Sequence, residues 1–179
     1  KARLKELTGE TSALVSKGAE MTEADITALD ALIARSLEAG RARGVTLTLT
    51  SFLLKAAALA LGEHPQFNAS LDALAQHIVY KQYYHLGVAV DTDAGLVVPV
   101  IRDVDKKTLL ELSTELQAVV ERTRQRTLAP EDLQGGTFTI SNQGGIGGAH
   151  FTPIINAPEV AILGLGRGTL KPIVKDGAV

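Results

Sequence analysis

One segment of this 179-residue sequence is apolar on almost every side of the helix that it predicts. Residues 51–61 read SFLLKAAALAL, and Lys55 is the single charge before Glu63. A helix of this kind is stable only when other elements cover it on several sides, so we expect it in the middle of the fold. A chain of 179 residues is long enough to build one domain with such a core.

Helical and strand patterns alternate around this segment, which is typical of an α/β domain. A helix is predicted to begin at the capping residues Thr22 to Asp25 and to end at Gly40. A second amphipathic helix follows later in the chain, and Pro130 begins a short helical turn that ends by Gly135. Period-two or continuous apolar patterns predict strands over residues 77–81, 86–91, 96–101, 137–141 and 159–164.

Two of these strands are predicted to form a hairpin. The turn Asp93-Ala94-Gly95 separates residues 86–91 from residues 96–101, and Pro99 indicates that the second strand lies near a sheet edge or a bulge. At the end of the chain, residues 172–175 predict another strand, and Asp176-Gly177 is typical of a type I′ hairpin turn. Because only two residues follow that turn, we expect the given sequence to lack its C-terminal segment. Residues 1–20 are weakly patterned and are interpreted as an N-terminal arm.

Composition excludes several classes of function. The net charge of −2 gives no basic excess for nucleic acid or an anionic membrane, and no apolar run approaches the length of a membrane span. The absence of cysteine excludes disulfides, thiolate metal sites and a cysteine nucleophile. Four histidines are present, but none has the spacing of a metal motif, so no metal is expected. We expect a cytoplasmic domain of a bacterium, with the mitochondrial matrix as the alternative if the source is eukaryotic.

The glycine clusters and the histidines carry little specific chemistry. A glycine-rich run at residues 164–168 follows a predicted strand, but Thr169 to Pro172 does not predict the helix that a pyrophosphate site needs. His150 follows a second glycine loop and is the most plausible functional histidine, although a structural role is the commoner outcome. His64, His77 and His85 stand at predicted element ends.

Ser141 is the sharper candidate for chemistry. It ends an alternating strand on the face that carries Thr137 and Thr139, and a flexible loop follows it. A hydroxyl in that position can donate a hydrogen bond to a developing oxyanion. Asp91 also ends a strand, on the face with Gly87 and Ala89, where small residues leave room for a ligand; a solvated turn aspartate is the alternative.

Several long motifs resemble the catalytic domain of the dihydrolipoamide acyltransferase (E2) of 2-oxo acid dehydrogenase complexes. They are GGTFTISN at residues 135–142, PIINAPEVAILG at 153–164, GVAVD at 87–91, GLVVPV at 95–100 and NAS at 68–70. The resemblance covers residues 21–179. It implies a chloramphenicol-acetyltransferase-like two-layer α/β fold with a mixed sheet, assembled as homotrimers that build a larger core.

The resemblance also implies a reaction and its residues. Such enzymes transfer an acyl group between dihydrolipoyl-lysine on a separate lipoyl domain and coenzyme A, and they work with the E1 and E3 components of the complex. Ser141 matches the family's oxyanion-stabilising serine, in a channel between trimer neighbours. Thr48, Asp91, Asn142 and Gly166 match coenzyme A contacts. A family arginine on the first helix has no counterpart, because Ile33 occupies its place and Arg35 is only nearby.

One departure from the family pattern is large. The family's catalytic histidine and aspartate lie in a DHRxxDG motif, which does not occur in these 179 residues. We expect it beyond Val179, and none of the four histidines replaces it. Residues 141–148 (SNQGGIGG) look more like the pyruvate or branched-chain members of the family than the succinyl-transferring ones. We therefore expect acetyl transfer, with a branched-chain E2, a non-catalytic scaffold component and a stand-alone coenzyme A-dependent acetyltransferase as alternatives.

Overall fold

The computed structural model describes residues 22–72, 75–145 and 151–172 of the chain. The predictions of an N-terminal arm, of a role for His150 and of a hairpin at Asp176-Gly177 lie outside these residues. Within them, three α-helices, eight short strands and three 3₁₀ turns follow one another, and the expected α/β class is confirmed.

The first helix, α1, spans Thr27–Arg41. The predicted cap at Thr22 is wrong, because the backbone N–H of Thr27 donates instead to Asp25 Oδ1 at 2.9 Å. A carboxylate there also suits the positive end of the helix dipole. The helix continues one residue past Gly40, where a side chain would lie 2.7 Å from the Val45 carbonyl oxygen. Gly40 therefore serves a close chain approach rather than the predicted stop.

The apolar helix, α2, spans Leu49–Glu63 and is longer than predicted. Thr48 caps it, with the Ser51 N–H donating to Thr48 Oγ1 at 3.3 Å and the Thr48 N–H donating to Ser51 Oγ at 3.1 Å. Leu54 is fully buried, whereas Leu59 is 62% exposed. Among the described residues, α2 is thus covered along one face, whereas its apolar pattern predicts cover on several sides.

The third helix, α3, spans Leu109–Arg124 and packs against α2. Its stripe of Leu112, Leu116 and Val119 is buried as the helical spacing predicts. The short 3₁₀ turns span Pro65–Phe67, Val104–Lys106 and Pro130–Leu133, and the last is the predicted helical turn. None of the described helices has both the length and the apolarity required to cross a membrane.

The main sheet has four strands in the order β6-β3-β7-β8, as far as the described residues show. They are β3 (Leu86–Val88), β6 (Val100–Ile101), β7 (Phe138–Asn142) and β8 (Ile162–Leu165). The β3–β7 and β7–β8 pairs are parallel and the β3–β6 pair is antiparallel, so the sheet is mixed, as expected. Its core-facing residues pack with α2 and α3 around Leu54, Leu86, Ile101, Leu112 and Ile140.

The other strands form two hairpins. In the first, β1 (Ala69–Asp72) pairs antiparallel with β2 (His77–Tyr80). In the second, β4 (Val90–Thr92) pairs with β5 (Gly95–Val97), which confirms the predicted turn.

The long strands predicted on either side of that turn are each broken in two. Ala89 separates β3 from β4, although its N–H still donates to the Ile140 carbonyl on β7. On the returning chain, Pro99 has no N–H to give to a ladder, and its carbonyl accepts from Val88. Beyond Pro99 the chain becomes β6, at the edge of the main sheet, as Pro99 predicted.

Candidate active site

Ser141 lies near the C-terminal end of β7, where the sequence places it. The strand alternates as predicted, but both of its faces are buried: Phe138 and Ile140 face the core, and Thr139 and Ser141 are 1% and 5% exposed. Among the described residues no partner hydrogen-bonds to the Ser141 hydroxyl. A hydroxyl without an internal partner keeps its proton available for a bound group.

A glycine, Gly164, lies beside Ser141 on the neighbouring strand β8. Ser141 is opposite Gly164 in the parallel β7–β8 pair, so both residues face the same side of the sheet. Gly164 is exposed, and a Cβ there would lie 3.1 Å from Phe151 Cζ and from Pro153 Cγ. The Phe151 to Pro153 segment therefore passes close over the sheet on the side of the serine. An apolar wall of this kind lowers the local dielectric around the hydroxyl.

Asn142, the next residue, connects the strand end to a helix. Its Nδ2 donates to Thr50 Oγ1 at 3.1 Å, and its Oδ1 accepts from the Gly144 N–H at 2.9 Å. The Gln143 N–H donates to the Leu165 carbonyl, which extends the β7–β8 pairing by one bond. A Cβ on Gly144 would lie 3.2 Å from the Gly166 carbonyl oxygen. The structure thus brings together Ser141, Asn142, Gly166 and the first turn of α2.

The other two predicted coenzyme A contacts, Thr48 and Asp91, have different surroundings. Thr48 begins α2, and its side-chain oxygen is used to cap that helix. It is two residues from Thr50, so it belongs to the same end of the fold as Asn142. Asp91 is exposed on β4, opposite Leu96 of the hairpin. The ligand role of Asp91 stays a prediction.

Sequence reasoning missed Glu159. The sequence made it the first residue of a strand, but the strand begins at Ile162. Glu159 is only 8% exposed, and its Oε1 would lie 2.9 Å from a Cβ at Gly136. Burial raises the pKa of this carboxyl, and the nearby Thr139 and Asn156 side chains oppose the rise in part. Even so, Glu159 Oε2 and the Thr139 hydroxyl are buried without a hydrogen bond of normal geometry.

The three described histidines lie at the ends of elements or take part in a backbone hydrogen bond. His64 follows the last residue of α2, and His77 begins β2 on an exposed hairpin. His85 Nδ1 accepts a hydrogen bond from the Asp103 N–H at 3.0 Å. Residues 22–72, 75–145 and 151–172 contain no cluster of acidic residues and histidines that could hold a metal ion. The structure gives none of these three histidines a place beside Ser141.

Two solved structures share this architecture. The first is an Azotobacter vinelandii dihydrolipoamide acetyltransferase in which the catalytic roles of a serine, a histidine and an asparagine were investigated. It superposes with a TM-score of 0.85 at 42% identity, covering 98% of this chain and 73% of that one. The second is the cubic core of a pyruvate dehydrogenase multienzyme complex, with a TM-score of 0.85, 43% identity and the same coverage. The expected chloramphenicol-acetyltransferase-like fold is thereby confirmed.

Sequence comparison leads to the same family. The acetyltransferase component of the pyruvate dehydrogenase complex of Cupriavidus necator is 47% identical over 151 residues, which are 84% of this chain. The match spans only 27% of that relative's length. A model of the 2-oxoacid dehydrogenases acyltransferase catalytic domain matches residues 9–179. From its fold and from these matches, we conclude that the chain belongs to the family of 2-oxoacid dehydrogenase acyltransferase catalytic domains.

Proposed function

We propose that the protein containing this chain transfers an acetyl group between dihydrolipoyl-lysine and coenzyme A, as the E2 core of a 2-oxo acid dehydrogenase complex. The proposal rests on the surroundings of Ser141. Its hydroxyl has no hydrogen-bond partner among the described residues, and it stands at a strand end beside the exposed Gly164. Family membership supports the proposal, since the relatives are named as acetyltransferases of the pyruvate dehydrogenase complex.

The chemistry needs no cysteine from the enzyme, because both thiols belong to the substrates. A general base removes the proton of the attacking thiol, and the thiolate adds to the thioester carbonyl carbon. The carbonyl oxygen then carries a negative charge in the tetrahedral intermediate. When that intermediate collapses, the carbon–sulfur bond to the first thiol breaks and the departing thiolate takes a proton. The Ser141 hydroxyl would donate a hydrogen bond to this oxyanion, which is the charge that most needs stabilisation.

The base is not assigned to any of the described histidines. His64 and His77 lie at element ends, and His85 already accepts a backbone hydrogen bond. We propose that the base comes from the family's DHRxxDG motif, which these 179 residues do not contain. In this proposal a neighbouring subunit brings the histidine to Ser141.

Ser141→Ala in the full gene product tests the proposal. Loss of one oxyanion donor typically lowers kcat by about 10²–10³-fold, and we expect the KM for coenzyme A to change little. Ser113→Ala is the matched control, because Ser113 is also buried but its hydroxyl donates to the Leu109 carbonyl within α3. An unchanged kcat in Ser141→Ala would remove this serine from the mechanism.

The acyl group is tested separately. Acetyl-, isobutyryl- and succinyl-coenzyme A are compared as donors to dihydrolipoamide, and acetyl-coenzyme A is expected to give the highest kcat/KM. A preference for isobutyryl would identify a branched-chain enzyme. Transfer to a small hydroxyl acceptor in place of dihydrolipoamide would identify a stand-alone acetyltransferase, and no transfer at all would identify a scaffold component.

We also propose that the protein assembles as homotrimers within a larger core that binds a lipoyl domain and the E1 and E3 enzymes. One structural relative is itself a cubic core. In this chain Leu59 on α2 is 62% exposed, as is Leu71, at 64%, on β1, which leaves apolar surface for neighbours to cover. Sedimentation velocity of the full gene product tests this, and a monomer would contradict it. A cytoplasmic location remains part of the proposal.

A further inference from the structure

The hydrogen bond between Asn142 and Thr50 joins parts of the chain that are 92 residues apart. The resemblance places Asn142 among the coenzyme A contacts. In the structure, however, both ends of its amide are engaged: Nδ2 donates to Thr50 Oγ1 and Oδ1 accepts from the Gly144 N–H. These two bonds fix the orientation of the amide, and they leave one N–H and one oxygen lone pair for other partners.

The support on the helix side is rigid. Thr50 is the second residue of α2, and the reciprocal bonds between Thr48 and Ser51 hold the chain on both sides of it. Ser51 is fully buried, and Leu54, one turn further along, is in the centre of the core. The Thr50 hydroxyl is therefore a well-anchored acceptor. It is half-buried, which protects the bond from competition with water.

The strand side is held equally well. Asn142 pairs with Leu165 in the β7–β8 register, and the next N–H, of Gln143, donates to the Leu165 carbonyl. Asn142 Oδ1 then ties the Gly144 N–H into a local turn. The direction in which the chain leaves β7 is thus determined by Asn142, and Ser141 is the residue directly before it.

We propose that Thr50 and Asn142 act together as positioning residues for Ser141. The inference rests on the proposed acyl transfer. A strand end clamped to α2 would hold the serine hydroxyl where the oxyanion forms, and a misplacement of about 1 Å can cost about 10²-fold in rate. This clamp, the hydrogen bond between Asn142 and Thr50, would therefore act on kcat, and its loss through a change at Thr50 would leave the KM for coenzyme A nearly unchanged.

The test is a double-mutant cycle in the full gene product, with Thr50→Val, Asn142→Ala and the double variant. Thr50→Val nearly keeps the shape of the side chain and removes its hydroxyl, and we expect kcat to fall about tenfold with the KM for coenzyme A within twofold. Thr50→Ser retains a hydroxyl and should restore kcat. Since Asn142→Ala already breaks the bond, adding Thr50→Val should lower kcat no further. Thr114→Val, at an exposed threonine of α3, is the control.

Two results would overturn the inference. One is a several-fold rise in the KM for coenzyme A in Asn142→Ala while Thr50→Val has wild-type kcat, which would make Asn142 a ligand contact. The other is a multiplicative, independent effect of the two substitutions. The same cycle measured on the free energy of unfolding detects the hydrogen bond without any assay. If Ser141→Ala leaves kcat unchanged while this coupling persists, the proposed function fails and the clamp remains as a structural contact.

Discussion

Ser141 lies directly opposite Gly164 in the parallel pairing of β7 with β8. The serine is nearly buried and the glycine is exposed, although they are neighbours on one face of the sheet. Gly164 carries no side chain, and the Phe151 to Pro153 segment packs so closely over it that a Cβ would lie 3.1 Å from Phe151 Cζ and from Pro153 Cγ. The glycine therefore permits the close approach of this segment to the Ser141 side of the sheet.

Adding a side chain at Gly164 should impair the enzyme. In Gly164→Ala the new methyl would lie 3.1 Å from Phe151 Cζ and from Pro153 Cγ, so the segment above the sheet must move. We expect unfolding to become easier by about 1–3 kcal/mol, as for other overpacked sites, together with a lower kcat. Urea denaturation and steady-state kinetics measure the two effects. Gly145→Ala is the control, because no atom of the described residues other than its chain neighbours lies within 4 Å of its Cβ position. Equal unfolding free energies and equal kcat values in the two variants would show that Phe151 and Pro153 do not pack closely over Gly164.

A second glycine is required inside the sheet. A Cβ on Gly87 would lie 2.8 Å from both Thr139 Oγ1 and Val98 Cγ1, closer than real side chains approach. Gly87→Ala should therefore reduce the free energy of unfolding by about 1–3 kcal/mol. Gly62→Ala is the matched control, since its nearest neighbour, Tyr84 Oη, would be 3.6 Å away and alanine favours a helix by up to about 1 kcal/mol. A Gly87→Ala protein as stable as the Gly62→Ala protein would contradict the packing argument.

Glu159 should make stability fall as the pH rises. Burial raises the pKa of its carboxyl, so the folded protein holds that proton more tightly than the unfolded chain does. The stabilising effect of the protonated form is complete below the unfolded pKa and is lost as the pH rises through the folded pKa. Glu159→Gln removes this titration. Relative to it, the wild type should therefore lose stability between acidic and neutral pH. Denaturation curves collected across this range test the prediction, and parallel pH profiles for the two proteins would refute it.

Glu111 should have the opposite dependence. Hydrogen bonds from the Thr108 N–H and from the Thr108 hydroxyl hold the pKa of this exposed carboxyl below its usual value. Its contribution is present above the unfolded pKa and is lost as the pH falls through the folded pKa. Glu111→Gln should therefore be less stable than the wild type at neutral pH and equal to it in acid. Thermal unfolding at several pH values measures this. A stability difference that grows in acid would rule the mechanism out.

Local patterns were enough to predict many elements of this protein. The alternation over residues 137–141 predicts β7, the turn Asp93-Ala94-Gly95 predicts the β4–β5 hairpin, and Pro130 predicts the last 3₁₀ turn. These features depend on side-chain periodicity and turn chemistry, which neighbouring residues determine among themselves. The same holds for Ser141, whose place at a strand end is visible in its alternating neighbours.

Other features depend on residues that the chain brings together from far apart. The Ala89 N–H donates to the Ile140 carbonyl on β7, and the Glu159 carboxyl lies close to where a side chain on Gly136 would be. The Asn142–Thr50 bond spans 92 residues and leaves no periodic trace in either segment. Local pattern and motifs were enough to predict most of the helices and strands, the family and the position of Ser141. The contacts between side chains could be read only from the folded chain, because packing and burial depend on distant segments that local pattern does not record.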